Sequence, residues 1–217
     1  MLGLYIHIPF CNQICPYCDF YKMVASDKTK ESLINALLQE MKLKNIDKYT
    51  FNSVYIGGGS PSCLNINLLN KIFAELNRSI NLKNLEEFTI ELNPNDITNE
   101  LINLLKQYHV SRVSIGVQTF NKKLQTLINR PFDKNILNDK ILKLKEAGIN
   151  NINLDMIYAI PSQTINEFEK DGYKVSLLDT KYDDVSICFV EVKTRSENMK
   201  YSPAEAVDYF KRNKISL

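Results

Sequence analysis

Apolar, β-branched runs alternate with longer amphipathic stretches along this chain, and this alternation limits it to a small set of folds. Strands are predicted at 3–8, 53–57, 87–92, 111–117, 152–158 and 185–190. Helices are predicted at 29–46, 66–80, 98–108, 134–147, 164–178 and 203–213. Such alternation indicates parallel strands joined by crossover helices. These units are too few for a closed eight-stranded barrel, which leaves a doubly wound sheet or an open partial barrel.

Residue parity within the predicted strands favours the open barrel. In the third strand Phe88 and Ile90 share one face, whereas Glu91 lies on the other. The fourth strand divides Val113 from Ser114 in the same way. A parallel sheet with helices on both faces is apolar on both, and a closed barrel is filled with branched apolar side chains. We therefore expect an α/β fold, an open partial (β/α)6 barrel whose polar face lines a ligand-binding concavity.

The composition argues against several classes of protein. Lys and Arg number 27 against 25 Asp and Glu, and the net charge of +2 gives no strong field to attract nucleic acid. No run approaches the roughly 18 uncharged apolar residues of a membrane span. The N-terminal MLGLYIHIPFC lacks the basic start and long apolar core of a signal peptide. We therefore expect a cytoplasmic protein with no nucleic-acid partner and no membrane span.

Cysteine spacing is the strongest chemical signal. Cys11, Cys15 and Cys18 follow the first predicted strand on one short loop, and the chain has 5 cysteines in all. An odd number of cysteines in a reducing compartment argues against a disulfide framework and for metal or redox chemistry. Three thiolates on one loop, with no fourth cysteine nearby, suit a [4Fe-4S] cluster that leaves one iron open to a further ligand.

Two less specific interpretations of the cysteines remain open. His7, four residues before the first of the three, could complete a Cys3His zinc site, although a strand position directs it into the concavity. Cys63 and Cys188 are expected to be packed as small apolar residues, because free cysteine is among the most buried residue types.

Glycine-rich and polar segments follow the other predicted strands. GGGSPS at 57–62 removes side chains, so that its backbone could approach a ligand closely, but it matches neither a P-loop nor a dinucleotide-binding fingerprint. The carboxyl ends of parallel strands meet at one rim, where ligand sites are built. Four polar residues fall there, namely Glu91, Gln118, Arg130 and Asp155. Two carboxylates, an amide and an arginine suit a small molecule with hydroxyl, amino and carboxylate groups.

Taken together, these motifs resemble the radical S-adenosylmethionine (SAM) enzymes, and most closely the oxygen-independent coproporphyrinogen III oxidases and related heme chaperones. The likeness covers the chain to about residue 190. It rests on YIHIPFC at 5–11, CPYCDF at 15–20, GGGSPS at 57–62, ELNP at 91–94, RVSIGVQTFN at 112–121, INR at 128–130 and LDMIYAIPSQT at 154–164.

The resemblance implies two cofactors and their ligands. A [4Fe-4S] cluster would be held by Cys11, Cys15 and Cys18, and its open iron would bind the amino and carboxylate groups of SAM. The residues that would surround SAM are Tyr5, Tyr17, Gly58, Gly59, Ser60, Glu91, Gln118, Arg130 and Asp155. Of these, the glycine motif would cradle the methionine part, the arginine would hold its carboxylate and the last aspartate its ribose. A reductant such as flavodoxin or ferredoxin would supply the electron that cleaves the sulfonium.

Within this branch the resemblance favours the heme chaperones. Asp19 and Phe20 follow the third cysteine, as in the chaperones, where the oxidases have Gly-Cys. The segment 127–131 is closer to the oxidases. We therefore expect a heme-chaperone-like protein that handles heme or porphyrin. The alternatives are oxidative decarboxylation of coproporphyrinogen III and a truncated, inactive core.

The resemblance also implies a domain boundary. Members of this family continue beyond the length of this chain into a C-terminal region. We therefore expect residues 1–195 to form a radical SAM core and residues 196–217 to begin a truncated C-terminal region.

Overall fold

The computed structural model describes residues 2–179 and 185–191. Its strands form one parallel sheet in the order β1-β2-β3-β4-β5-β6. They are β1 (Gly3–Ile8), β2 (Ser53–Gly58), β3 (Glu87–Leu92), β4 (Arg112–Gln118), β5 (Asn151–Tyr158) and β6 (Val185–Glu191). Each begins and ends within one residue of its predicted bounds.

Helices connect the strands in the predicted places. They are α1 (Asp27–Leu43), α2 (Ile66–Ser79), α3 (Asn99–Gln107), α4 (Lys122–Leu127), α5 (Lys134–Glu146) and α6 (Ile165–Asp179). The first helix begins two residues before its predicted start and ends three residues before its predicted end, because Asn45 adopts the left-handed conformation (φ 49°) and stops the helix. The predicted helix at 203–213 and the boundary near residue 195 lie outside the described residues.

Strand order decides between the two candidate architectures. A doubly wound sheet reverses its order at a switch point. Here each described strand pairs with its neighbour in sequence, and β1 and β6 stand at opposite edges. The fold is therefore the expected open partial (β/α)6 barrel. No helix in the described ranges combines the length and the apolar character that a membrane span requires.

The apolar core fills the space between the sheet and its helices. Alternate strand residues, such as Ile56 and Ile90, are fully buried in this core. On the helix side, the ring of Phe73 packs edge-on against Phe88 and Tyr108, with centroid distances of 5.6 and 5.4 Å. Burial of one sheet face under the helices leaves the opposite face to form a concavity.

Candidate functional site

A cavity of about 440 Å³ opens at the carboxyl ends of the strands. All the residues predicted for the site except Tyr5 line it: Cys11, Cys15, Cys18, Tyr17, Gly58, Gly59, Ser60, Glu91, Gln118, Arg130 and Asp155. Tyr5 is 57% exposed, and its ring lies 6.0 Å from that of Tyr55, its partner on the neighbouring strand. Strand topology thus brings residues that are far apart in sequence to one concavity.

The loop that carries the three cysteines closes on itself. The backbone N–H of Cys11 donates to the carbonyl of Met23 at 3.0 Å, and the N–H of Met23 donates to the carbonyl of Pro9 at 2.7 Å. Burial, and next the nearby Cys18, raises the pKa of the Cys11 thiol. The Lys22 ammonium donates to the Cys18 carbonyl. These bonds fix the base of the loop, and its three cysteines line the cavity wall.

The side chains of the two candidate ligand sets, the three cysteines alone or with His7, are not close enough together to bind a metal ion as they stand. Within the described ranges, no three His, Cys, Asp or Glu side chains lie close enough together to hold a metal ion. The three thiols line one cavity without forming a closed ligand set. His7 instead shares a hydrogen bond of 2.8 Å with the Tyr5 hydroxyl, and its Nε2 is buried with no hydrogen-bond partner among the described residues. The geometry gives His7 no role as a fourth ligand.

The glycine motif is pressed against the chain segment that leads to the cysteines. A Cβ atom at Gly59 would lie 2.6 Å from the carbonyl oxygen of Phe10. The N–H groups of Gly59 and Ser60 donate to the carbonyls of Ile8 and Phe10, both at 2.8 Å. Gly58 has a φ of 119°, which residues with side chains rarely adopt. Glycine is therefore required for this close approach, and the two loops form one wall.

Glu91 connects the glycine motif to the sheet. One carboxylate oxygen accepts the Tyr55 hydroxyl at 2.6 Å, and the other accepts the N–H of Gly58 at 3.1 Å. Burial, followed by this hydrogen bond, raises the pKa of Tyr55, so the phenol keeps its proton. Tyr55 was missed by sequence reasoning, although its position on the polar face of β2 was a usable signal.

The side chains of Arg130 and Gln118 lie beside Gly116, at the irregular end of β4. The register of β4 against β5 shifts between Gly116 and Gln118, and Gln118 adopts a φ of 72°. Arg130 Nε donates to the Gly116 carbonyl at 3.2 Å. A Cβ atom at Gly116 would lie 2.6 Å from Arg130 Nη2 and 2.9 Å from Gln118 Nε2. The bulge and the missing side chain therefore make room for both polar groups.

Asp155 is a buried carboxylate on β5. Its Oδ1 accepts Ser114 Oγ at 2.9 Å and Asn153 Nδ2 at 2.7 Å. Burial is the largest cause that raises the pKa of Asp155 to about 6; the Glu91 charge adds to it and the Ser114 hydrogen bond opposes it. In the described structure both side-chain bonds go to Oδ1, which leaves Oδ2 for a ligand hydroxyl. Ser114 also lines the cavity, as its position on the polar face indicated.

The match to known proteins now decides the family. Residues 5–171 match the model of the Radical SAM superfamily. The chain belongs to this superfamily. It is 40% identical to the heme chaperone HemW of Lactococcus lactis subsp. lactis over 170 residues, which cover 78% of this chain and 44% of that protein. It is 35% identical to heme chaperone HemW of Bacillus subtilis, covering 92% of this chain and 53% of the relative.

A solved structure has the same architecture. Coproporphyrinogen III oxidase (HemN) from Escherichia coli, described as a radical SAM enzyme, superposes with a TM-score of 0.82 at 26% identity. The superposition covers 98% of this chain and 51% of that one. The chain thus spans about half the length of the relatives it matches. Membership of the superfamily implies a [4Fe-4S] cluster and SAM as cofactors.

The residues present fit that pair of cofactors. Soft thiolates are the donors that iron–sulfur clusters require, and the cavity presents three of them. Gly58 and Gly59 leave backbone exposed in the same wall. Opposite charges, from Arg130 and from Glu91 and Asp155, face the same space, as a zwitterionic ligand demands. The thiols, the glycine backbone and the charged side chains therefore all suit a [4Fe-4S] cluster with SAM beside it.

Proposed function

We propose that this chain binds a [4Fe-4S] cluster and SAM in the cavity at the strand ends and acts in heme or porphyrin metabolism as a heme-chaperone-like protein. One observation carries the proposal: three thiols, the glycine motif and four polar strand-end residues line a single cavity of about 440 Å³. Each group comes from a different segment of the chain. A packing role for these residues would not require them to share one concavity.

The cysteine loop would hold the cluster. Cys11 and Cys15 are buried and Cys18 is half-buried, so the cluster would sit at the inner end of the loop, shielded from water. The Lys22 ammonium beside the Cys18 carbonyl places a positive charge near the thiolates. Such a charge favours the anionic form of the ligands and of the reduced cluster.

The remaining lining residues would orient SAM. Arg130 would bind its carboxylate, with Nε fixed on the Gly116 carbonyl and the planar guanidinium turned to the ligand. Asp155 would accept a ribose hydroxyl at Oδ2. Tyr17 and the glycine backbone would flank the methionine part. When bound, the two cofactors supply one-electron cleavage of the sulfonium; the protein holds SAM in one orientation and keeps water out.

Heme chaperone activity is favoured by the cluster loop. Asp19 and Phe20, which follow the third cysteine, both line the cavity, so this segment shapes the space beside SAM. The relatives at 40% and 35% identity are named heme chaperones. Coproporphyrinogen oxidation is the second candidate, favoured by the TM-score of 0.82 to HemN and by the segment 127–131.

Iron uptake tests the cluster directly. The protein is reconstituted without oxygen, with iron and sulfide, and iron is counted per chain. We expect about four iron atoms in the wild type and fewer than about one in Cys11→Ser, Cys15→Ser or Cys18→Ser. Cys63→Ala is the matched control, because Cys63 is buried in the apolar core, and it should bind iron as the wild type does. Equal iron in all five proteins would refute the site.

Two further assays separate the candidate functions. SAM is added to the reduced protein and deoxyadenosine is measured; heme is titrated and its Soret band is followed. Heme binding without decarboxylation of coproporphyrinogen supports the chaperone, whereas vinyl product formation supports the oxidase. A folded protein that takes up iron and SAM but neither porphyrin nor heme would contradict both. Flavodoxin or ferredoxin as reductant, and a cytoplasmic location, complete the proposal.

A further inference from the structure

Asp96 is a half-buried carboxylate outside the predicted site, in the 3-10 turn Pro94–Asp96 that follows β3. Its Oδ1 accepts a hydrogen bond of 3.1 Å from Asn12 Nδ2. Asn12 is the residue directly after Cys11, and 84 positions separate the two partners. Asp96 therefore contacts the cysteine loop beside its first thiol.

The second oxygen of Asp96 binds the glycine motif. Ser62 Oγ lies 3.0 Å from Asp96 Oδ2 and 2.9 Å from the backbone nitrogen of Asn93. A backbone N–H can only donate, so the Ser62 hydroxyl accepts there and directs its own proton to the carboxylate. Ser62 is also 3.3 Å from Ser60 Oγ, which lines the cavity. The direction of this hydrogen-bond chain is thereby fixed.

We propose that Asp96 is a positioning residue that holds the cysteine loop in register with the glycine motif. The inference rests on the proposed function for its purpose, because those segments would carry the cluster and SAM. One carboxylate accepts from both at once, and no other acceptor in the described structure bridges Asn12 and Ser62. The cysteine loop and the glycine motif would thus be held at a constant separation.

The two oxygens of Asp96 are both needed. An amide at this position has one acceptor oxygen, and its NH2 group would face a donor from Asn12 or Ser62. Asp96→Asn should therefore lose one hydrogen bond and gain a donor–donor clash, while Asp96→Ala loses both bonds. Loss of both should loosen the loop at Asn12, while the backbone bonds from Gly59 and Ser60 remain and the core stays folded.

Thiol reactivity in the protein without cofactors is the first test. Folded wild type, Asp96→Asn and Asp96→Ala are alkylated with iodoacetamide, and each cysteine is followed by peptide mass spectrometry. We expect Cys11, which is buried, to react roughly tenfold faster in Asp96→Ala, as loss of the two bonds predicts, while Cys63 in the core stays slow. Asp47→Asn, at an exposed position, is the matched control. Unchanged Cys11, or Cys11 and Cys63 accelerated together, would overturn the proposal.

SAM binding to the reconstituted protein is the second test. We expect Asp96→Ala to keep its iron but to bind SAM roughly tenfold more weakly, and its reduced EPR spectrum to change less on SAM addition. Ser62→Ala should weaken binding too, and the double variant should add less than the two single effects combined. Wild-type SAM affinity in Asp96→Ala would contradict the assignment. Failure of the wild type to take up iron would refute the proposed function, whereas thiol reactivity would still decide this inference.

Discussion

The two faces of the sheet behave differently, although the same strands build both. On the helix-facing side, Ile90 and Leu154 are fully buried among other apolar side chains. Their direct neighbours on the cavity side, Glu91 and Asp155, are carboxylates held by hydrogen bonds. Alternation along each strand therefore places stability on one face and ligand chemistry on the other.

Left-handed backbone conformations occur at both ends of the strands: Asn45 and His109 adopt them ahead of β2 and β4, and other residues adopt them at the cavity rim. Gln118 ends β4 with a φ of 72°, and Ala159 follows β5 with a φ of 61°. Both lie where the strands meet the cavity rim, and a left-handed conformation costs a residue with a side chain about 1–2 kcal/mol. Asn129, next to Arg130, adopts it too. At the rim these conformations set the direction in which the chain leaves the strands beside Gln118 and Arg130, which line the cavity.

The largest expected effect lies on the helix-facing side. Phe73 is 0% exposed and packs against two other rings. Phe73→Ala should lower the free energy of unfolding by about 3–5 kcal/mol, from lost burial and the cavity left behind, measured by urea denaturation. Cofactor binding per folded molecule should stay unchanged. Leu43→Ala, at an 80% exposed position, should shift stability by less than about 0.5 kcal/mol. A comparable loss of unfolding free energy in both variants would contradict the conclusion that the buried helix-facing side carries the stability.

On the cavity side, Asp155→Asn should stabilise the protein at neutral pH. The pKa of Asp155 is raised to about 6 by burial, while an unfolded chain has an Asp pKa of about 3.9. The folded state thus binds its proton more tightly, and stability falls as pH rises from about 4 to about 6. Asparagine keeps an acceptor for Ser114 and Asn153 and carries no charge.

The difference between Asp155→Asn and wild type should therefore depend on pH. We expect it to be near zero at pH 4 and on the order of 2 kcal/mol in favour of the variant at pH 7, by chemical denaturation. Binding of SAM should weaken in the same variant, since the ribose loses an anionic acceptor. Identical differences at both pH values would show that Asp155 is not the group that titrates.

A smaller effect is expected from Arg130→Lys. Lysine cannot supply the Nε–H that donates to the Gly116 carbonyl, nor a planar pair of donors for a carboxylate. SAM should bind roughly tenfold more weakly to the reconstituted variant, or about 1.4 kcal/mol, by calorimetry. Stability should change little. Arg78→Lys, whose partner Glu75 lies on the helix side, is the control and should bind SAM normally. Equal SAM affinity in the two variants would show that Arg130 does not bind SAM.

The sequence predicted what depends on local pattern. Strand positions and the polar or apolar identity of each face follow from period-two alternation, so β1 and β3 were predicted with their observed bounds. Cys11, Cys15 and Cys18 were predicted together because their spacing is local. Strand-end residues such as Glu91 were predicted because parallel topology collects carboxyl ends at one rim.

Long-range contacts could not be predicted in the same way. Nothing in the local pattern links Asn12 to Asp96, or Asn129 to the carbonyl of Ile14, since each pair depends on how loops from different units meet. The register shift at Gly116 and the exposure of Tyr5 depend on the same tertiary packing. Sequence thus indicates which groups are available, and the three-dimensional contacts decide how rigidly they are held.

The smallest effect is expected from an exposed ion pair between two helices, where charge contributes to stability without burial. Lys71 Nζ lies 3.0 Å from Glu31 Oε1 and joins α2 to α1, but both side chains are well exposed. Solvent screens such a pair and ordering two long side chains costs entropy, so Lys71→Ala should cost about 0.2–1 kcal/mol. Adding 1 M salt to the wild type should remove most of this difference in urea denaturation. A salt-resistant loss above about 2 kcal/mol would mean that this surface pair, and not only the buried apolar face, holds the two helices together.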